Sequence, residues 1–151
     1  IMSDLKNYRL GFDPWGLGLF LLIMTPNFVW FAVPAPNDIL RAESVTPVID
    51  MFAQVLQTIT VAALCGVANI TQGRPKRGYQ ISIAVCVGLY FTGWAIYYTG
   101  ITSAIIILDL CLAPCGALLL YALTRKNITA VISAGGFTLC HLIYGIVNFI
   151  P

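Results

Sequence analysis

Residues 103–123, SAIIILDLCLAPCGALLLYAL, carry a single charged side chain, Asp109, in an otherwise apolar run. A helix of about 20 such residues, rising about 1.5 Å per residue, crosses a hydrocarbon core about 30 Å thick. Four further apolar runs lie at residues 15–33, 48–70, 79–98 and 127–149. The sequence therefore predicts an all-α integral membrane protein, a single transmembrane domain over residues 1–151 built as a bundle of about five transmembrane helices.

The composition excludes several classes of protein. Hydrophobic residues make up 59% of the 151 and charged residues 9%, whereas a soluble domain carries about 25% charged residues. Mean hydropathy is +0.87. A net charge of +2 provides no basic surface for nucleic acid. The chain contains no Walker loop, dinucleotide fingerprint, HExxH motif or nucleophile elbow, so neither an enzyme class nor a cofactor is indicated.

Proline and capping residues mark where the helices begin. Asp13-Pro14 opens the first span, Pro47 restarts the chain for the second, and Asn127 is placed to cap the fifth. Pro26 interrupts the first span and is expected to bend it, as membrane helices tolerate when neighbouring groups satisfy the freed carbonyl.

The first apolar run does not have the form of a signal peptide. It continues through Pro26-Asn27 into Trp30, without ending at a small-residue cleavage site. We therefore expect a retained helix, in a chain that is complete from Met2.

Basic residues near the ends of the spans predict the orientation, because cytoplasmic loops retain Lys and Arg. Seven of the eight basic residues fall on one side and only Arg41 on the other. The seven are Lys6, Arg9, Arg74, Lys76, Arg77, Arg125 and Lys126. The N-terminus is therefore predicted inside and the C-terminus outside, in a multi-pass protein of the plasma membrane. Six aromatic residues are expected to form an outer interfacial belt: Trp30, Phe31, Trp94, Tyr97, Tyr98 and Phe149.

Polar residues are concentrated in the outer half of the predicted spans. Asp109 and His141 each lie about 9 Å below the outer edge at 1.5 Å per residue. Asp50, Gln54 and Gln57 occupy positions i, i+4 and i+7, which places them on one stripe of the second span. Because unpaired polar groups are costly against lipid, this stripe is predicted to face a polar cavity that opens outward.

Two interpretations of these residues remain open. In the first, Asp109 and His141 form a protonatable pair, and Asp50, Gln54 and Asn27 complete a site for a small polar solute or ion. In the second, Asp109 and His141 form a structural hydrogen bond between the fourth and fifth spans. A charge within the membrane favours a functional site, but Asp50 lies near the interface, where a charge is less costly.

The five cysteines, at positions 65, 86, 111, 115 and 140, all fall within predicted spans. Such cysteines usually act as small hydrophobic residues. Cys111 and Cys115 share a helical face, and with Cys140-His141 they could bind a soft metal. Asp109 and Cys115 differ in depth by about 9 Å, too far for one coordination sphere. We therefore predict no metal site.

Small residues offer positions where helices could approach closely. They are Ala62 with Gly66, Ala113 with Ala117, and Gly135-Gly136 with Gly145. Such faces serve packing within one chain or between chains, so a homo-oligomer and a membrane protein partner are both open.

The sequence supports three functions, in order of preference. The first is a small membrane protein that binds or translocates a small polar solute or ion through the outward-facing polar cavity. The alternative is a non-transporting subunit or regulatory partner in a larger complex. The third is a membrane-embedded enzyme that uses Asp109 and His141.

Overall fold

The computed structural model describes residues 7–71 and 75–150. Within them lie five helices long and apolar enough to cross a membrane: α1 at Pro14–Ala32, α2 at Pro47–Gly66, α3 at Arg77–Tyr97, α4 at Ala104–Thr124 and α5 at Ile128–Phe149. The predicted set of five long apolar helices is confirmed, and helices of this length and composition are typical of a multi-pass membrane protein. Three residues used in the sequence predictions, Met2, Lys6 and Arg74, lie outside the described residues.

The predicted helix starts are confirmed at three positions. The Asp13 side chain accepts hydrogen bonds from the backbone N–H groups of Trp15 and Gly16, at 3.1 and 3.3 Å. Pro47 occupies the first turn of α2. The Asn127 side chain accepts from the Ala130 N–H at 3.1 Å and caps α5. Asp13 and Asn127 accept hydrogen bonds from backbone N–H groups that the start of a helix leaves unpaired. Pro47 has no backbone N–H, so no donor is left unpaired at its position.

The second span is shorter than predicted. We expected a helix over residues 48–70, but α2 ends at Gly66 and Val67–Asn69 forms a short strand, β2. This strand pairs antiparallel with β1, Tyr8–Leu10, with Leu10 opposite Val67 and Tyr8 opposite Asn69. The apolar pattern alone favoured helix here, because the pairing depends on a segment about 60 residues away in the sequence, which local periodicity cannot detect.

The central helix of the bundle is α4. It packs along α3 on one side and α5 on the other, and α5 packs in turn on α2. Ala117 and Ala122 of α4 are completely buried. The first helix, α1, packs more loosely against α2, α3 and α4.

Glycines allow the closest approaches between helices within the chain. A Cβ atom on Gly145 would lie 2.5 Å from the Cys111 Sγ, and one on Gly136 would lie 3.1 Å from the Leu56 Cδ1. The predicted close-contact positions Gly66 and Gly135 have open space around the Cβ position instead. The small residues of α5 therefore divide between a packed face and an unoccupied face.

The predicted aromatic belt is in part a buried cluster. Trp94 is 6% exposed and Tyr97 is 0% exposed. The Trp94 ring lies 6.3 Å from that of Trp30 and 5.6 Å from that of Tyr97, measured between centroids. Hydropathy placed these rings correctly near the span ends but could not show that they turn inward.

The two ends of the bundle are named after the aspartates that lie at them. The Asp13 end is where α1, α3 and α5 begin and where α2 and α4 end. The Asp38 end is the opposite end, and it carries the connection from 33 to 46, which includes a single 3-10 turn at Ile39–Arg41.

Candidate functional site

A cavity of about 380 Å³ lies among the five helices, in the part of the bundle nearer the Asp38 end. All five helices contribute to its lining, and Leu40 of the 33–46 connection contributes as well. Ligand sites in proteins have volumes of about 300–1,000 Å³, so the cavity is large enough for a small organic molecule.

Four of the five predicted site residues line this cavity: Asn27, Asp50, Gln54 and His141. Gln57, the third member of the predicted polar stripe on α2, lines it too. The spacing i, i+4 and i+7 therefore places the stripe on the cavity side of α2, although the Gln54 side chain is largely exposed. The role of these residues remains a prediction.

Asp109 lies elsewhere. It is absent from the cavity lining, and its carboxylate lies directly against Gly93 of α3. The face of α4 that packs on α5 carries Ile107 and Cys111, which surround Gly145. At about 100° per residue, Asp109 points about 200° away from Ile107. Among residues 7–71 and 75–150, no hydrogen bond joins Asp109 to His141, so the predicted pairing is not found.

The Asp50 carboxylate is held by a short chain of hydrogen bonds that we call the Thr46 cluster: Thr46, Asp50 and Asn148. The Asn148 side chain donates to the Thr46 Oγ1 at 2.8 Å, and the Thr46 hydroxyl donates to the Asp50 Oδ1 at 3.1 Å. Asn148 also accepts from the Val45 N–H at 2.7 Å. The cluster joins α5 to the start of α2 and fixes one oxygen of the carboxylate.

His141 lies in an aromatic stack along α5. Its ring is 5.1 Å from that of Phe137 and 6.0 Å from that of Tyr144, with interplanar angles of 25° and 15°. All three residues line the cavity. They occupy positions i, i+4 and i+7, a spacing that puts them on one helical face. The spacing of these three residues in the sequence therefore indicates an aromatic wall on one face of α5, which we did not predict.

A second aromatic wall comes from α1 and α3. The Asn27 side chain donates to the Tyr90 hydroxyl at 2.7 Å, which ties α1 to α3. Trp94 is one turn from Tyr90, and its ring lies 6.4 Å away with an interplanar angle of 83°. Among the described residues, the Trp94 indole Nε1 is the buried side-chain donor without a hydrogen-bond partner.

At one edge of the cavity lies the Asp38 cluster: Trp30, Asp38, Arg41 and Tyr97. The Asp38 carboxylate accepts from Trp30 Nε1 at 2.9 Å, from the Tyr97 hydroxyl at 2.8 Å and from Arg41 Nε at 2.8 Å. Burial by itself raises the pKa of Asp38, but the hydrogen bonds from Trp30, Tyr97 and Arg41 outweigh it and hold that pKa below its usual 3.8. The Asp38 carboxylate therefore joins α1 and α3 to the 33–46 connection.

At the Asp13 end, a different carboxylate joins the helices. Asp13 Oδ2 accepts from the Tyr121 hydroxyl at 2.8 Å and from Arg125 Nε at 2.7 Å, while its Oδ1 caps α1. The Asn127 side chain donates to the carbonyl oxygens of Ala63 and Val67, at 2.8 and 3.0 Å. These bonds draw the start of α1, the end of α2 and the turn between α4 and α5 together.

The cysteines are all free thiols. Cys111 lines the cavity and Cys115 is buried. In the parts of the chain that the structure describes, no group of three or more His, Cys, Asp or Glu side chains is placed to hold a metal ion.

Comparison of the chain with protein-family models, with curated proteins and with solved structures found no match.

Proposed function

We propose that this protein binds a small polar solute or ion in the cavity between its five helices. The observation that carries the proposal is the convergence of Asn27, Asp50, Gln54, Gln57 and His141 on one cavity of about 380 Å³. A concave, mostly apolar space with a few polar groups is typical of a ligand site. Ionisable residues within a membrane span normally face a partner, water or a ligand.

The proposal includes an orientation. With the N-terminus in the cytoplasm of a plasma-membrane protein, the Asp38 end faces outward and the cavity is accessible from outside. The excess of basic residues at the Asp13 end supports this arrangement, since Arg125 and Lys126 lie there and Arg41 lies at the Asp38 end. Translocation would further require the Asp13 end to open, so binding has more support than transport.

A matched pair of variants tests the cavity. Ala53 is buried and lines it, whereas Val55 of the same helix is 52% exposed on the outer surface. Ala53→Trp should fill the cavity and remove a bound small molecule, and Val55→Trp should leave it in place. Native mass spectrometry of gently extracted protein measures the bound mass, and uptake of the identified ligand into liposomes separates transport from binding. Retention of the same small-molecule mass by Ala53→Trp would contradict the proposal.

Asp109 favours the alternative function, a subunit or regulatory partner in a larger complex. Its carboxylate is only partly buried within a membrane-spanning helix and has no hydrogen-bond or ion-pair partner among the described residues. A polar residue in this position can join one helix to another in the membrane. A second polypeptide that co-purifies with the wild type and is lost from Asp109→Leu but kept by Asp109→Asn would support this function. The enzyme alternative has less support, because His141 lines the cavity and Asp109 does not.

A further inference from the structure

We infer that the ligand of the cavity is an organic cation, an amine or quaternary ammonium group, with the Asp50 carboxylate as its counter-ion. The inference rests on the proposed function and names the chemical class of ligand for the same cavity. It is based on the charge of the lining, the unpaired oxygen of Asp50, and the chemistry of the walls.

The charge of the lining selects a cation over an anion. Among the described residues that line the cavity, Asp50 is the only Asp, Glu, Lys or Arg. The nearest guanidinium group at this end belongs to Arg41, which is already paired with Asp38 at 2.8 Å and lies 4.6 Å above the Trp30 ring. An anionic ligand would therefore meet a carboxylate and no free lysine or arginine; His141 is the other lining side chain that can carry a positive charge, and only when it is protonated.

Asp50 has an oxygen available for that cation. Thr46 donates to its Oδ1, and no residue in 7–71 or 75–150 donates to its Oδ2 or forms an ion pair with it. The carboxylate is half-buried. A charged group in the membrane region without a counter-ion is costly, and a bound cation would offset that cost.

The walls favour an organic cation over a metal ion. Nine aromatic rings line the cavity when His141 is included, among them Trp30, Tyr90, Trp94, Phe137 and Tyr144. Aromatic faces attract quaternary ammonium groups, and such groups require no shell of oxygen ligands. A hard metal ion takes six or more oxygen ligands, whereas the carboxylate and amide oxygens of the lining come from only four side chains, Asp50, Asn27, Gln54 and Gln57. The volume of about 380 Å³ also exceeds what a bare ion would fill.

Three probes of nearly the same shape test the inference: choline, its neutral isostere 3,3-dimethyl-1-butanol, and the anion 3,3-dimethylbutanoate. Isothermal titration calorimetry on the full chain in uncharged maltoside micelles should show binding of choline in preference to the other two. Asp50→Asn should weaken choline binding by about tenfold or more, and Asp50→Glu should retain it, because only the charge is lost in the first variant. The control is Glu43→Gln, which removes an acid from the connection that does not line the cavity.

A second comparison isolates the aromatic contribution. Tyr144→Phe keeps the ring face and should bind choline like the wild type, whereas Tyr144→Leu should weaken choline binding severalfold. Phe91→Leu removes an exposed ring of α3 outside the cavity and should have no effect.

The outcomes separate this inference from the proposed function. Equal affinity for choline and the neutral isostere, unchanged in Asp50→Asn, would overturn the cation assignment and leave a small-ligand cavity in place. No choline binding, preferential binding of the anion, or displacement of choline by Na⁺ or K⁺ at equal concentration would also overturn it. The proposed function fails separately, through retention of the native ligand mass by Ala53→Trp.

Discussion

The two ends of the bundle each depend on an aspartate that accepts hydrogen bonds from a tyrosine and an arginine, yet they hold different parts of the chain. At the Asp13 end, Asp13 links the start of α1 to the end of α4, and Asn127 links α5 to the last turn of α2. At the Asp38 end, the Asp38 cluster joins α1 to α3, and the separate Thr46 cluster joins α2 to α5. The hydrogen bonds of the Asp13 end hold the helices together as one network, whereas those of the Asp38 end form two separate clusters.

This difference accounts for the position of the cavity. Trp30 and Leu40 line it beside the Asp38 cluster, and Asp50 and Phe149 line it beside the Thr46 cluster. The cavity thus lies between two groups of helices that no polar contact joins at this end within the described residues. At the Asp13 end, a Cβ on Gly16 would lie 3.0 Å from the Leu64 carbonyl oxygen, so α1 and α2 are already in close contact. A bundle closed at one end and divided at the other is suited to binding from one side.

The largest expected effect is that of removing Asp13. Asp13→Ala should lower the free energy of unfolding by about 2–4 kcal/mol, because it leaves a partly buried arginine unpaired and removes a helix cap. Asp38→Ala should cost only about 1–2 kcal/mol, because Arg41 is 39% exposed and Arg125 only 22%. Unfolding in mixed micelles by increasing sodium dodecyl sulfate, followed by circular dichroism, measures both. Equal losses would show that the two ends are held equally firmly.

The two asparagines provide the next comparison. Asn127 is 1% exposed and bonds to Ala63, Val67 and Ala130, whereas Asn148 is half-buried. Asn127→Ala should cost about 2–3 kcal/mol, since it leaves buried backbone groups unsatisfied, and Asn148→Ala about 1 kcal/mol. The same unfolding assay applies. A greater loss of unfolding free energy in Asn148→Ala than in Asn127→Ala would show that the Asp38 end is held more firmly than the Asp13 end.

Two glycines of α1 test the contact between α1 and α2. Gly16→Ala should cost about 1–2 kcal/mol, because the new methyl group would press on the Leu64 carbonyl and the Tyr121 ring. Gly18→Ala meets no atom within 4 Å and should be neutral or stabilising by up to about 1 kcal/mol, since alanine favours helix. If both variants behave alike in thermal unfolding, the Asp13 end is more open than the structure indicates.

The smallest effect is the pH dependence of the Asp38 cluster. Because folding lowers the pKa of Asp38 below 3.8, its ionised form stabilises the folded state above about pH 4. This contribution is lost as the pH falls further, through the folded-state pKa. The wild type should therefore lose up to about 1 kcal/mol between pH 6 and pH 3 relative to Asp38→Asn, which cannot titrate. Parallel pH curves for the two proteins in the unfolding assay would argue against the Asp38 hydrogen bonds.

Much of the fold could be predicted from local sequence. Runs of apolar residues located five helices, and Asp13, Pro47 and Asn127 located three helix starts, because membrane length and capping depend on neighbouring residues alone. The end of α2 could not be located in this way. Val67–Asn69 is apolar enough to continue a helix, and its pairing with Tyr8–Leu10 decides otherwise.

The candidate site could be predicted where helical phase was taken into account. Asp50, Gln54 and Gln57 were placed on one face by their spacing, and they line one cavity. Asp109 and His141 were matched by depth alone. Depth fixes a position along the membrane normal but not the direction in which a side chain points around its helix. The triplet Phe137, His141 and Tyr144 had the right spacing to be recognised as a wall.

The sequence by itself determined the number of helices, their approximate ends and the polar stripe of α2, since each depends on composition and periodicity within about 20 residues. The tertiary structure decided which faces meet. It turned Asp109 toward Gly93 and His141 toward the cavity, placed Trp94 and Tyr97 inside the bundle, and closed the Asp13 end through bonds between residues more than 100 positions apart. The physical reason is that rotation about a helix axis changes little in the helix itself and is fixed by packing against neighbouring helices.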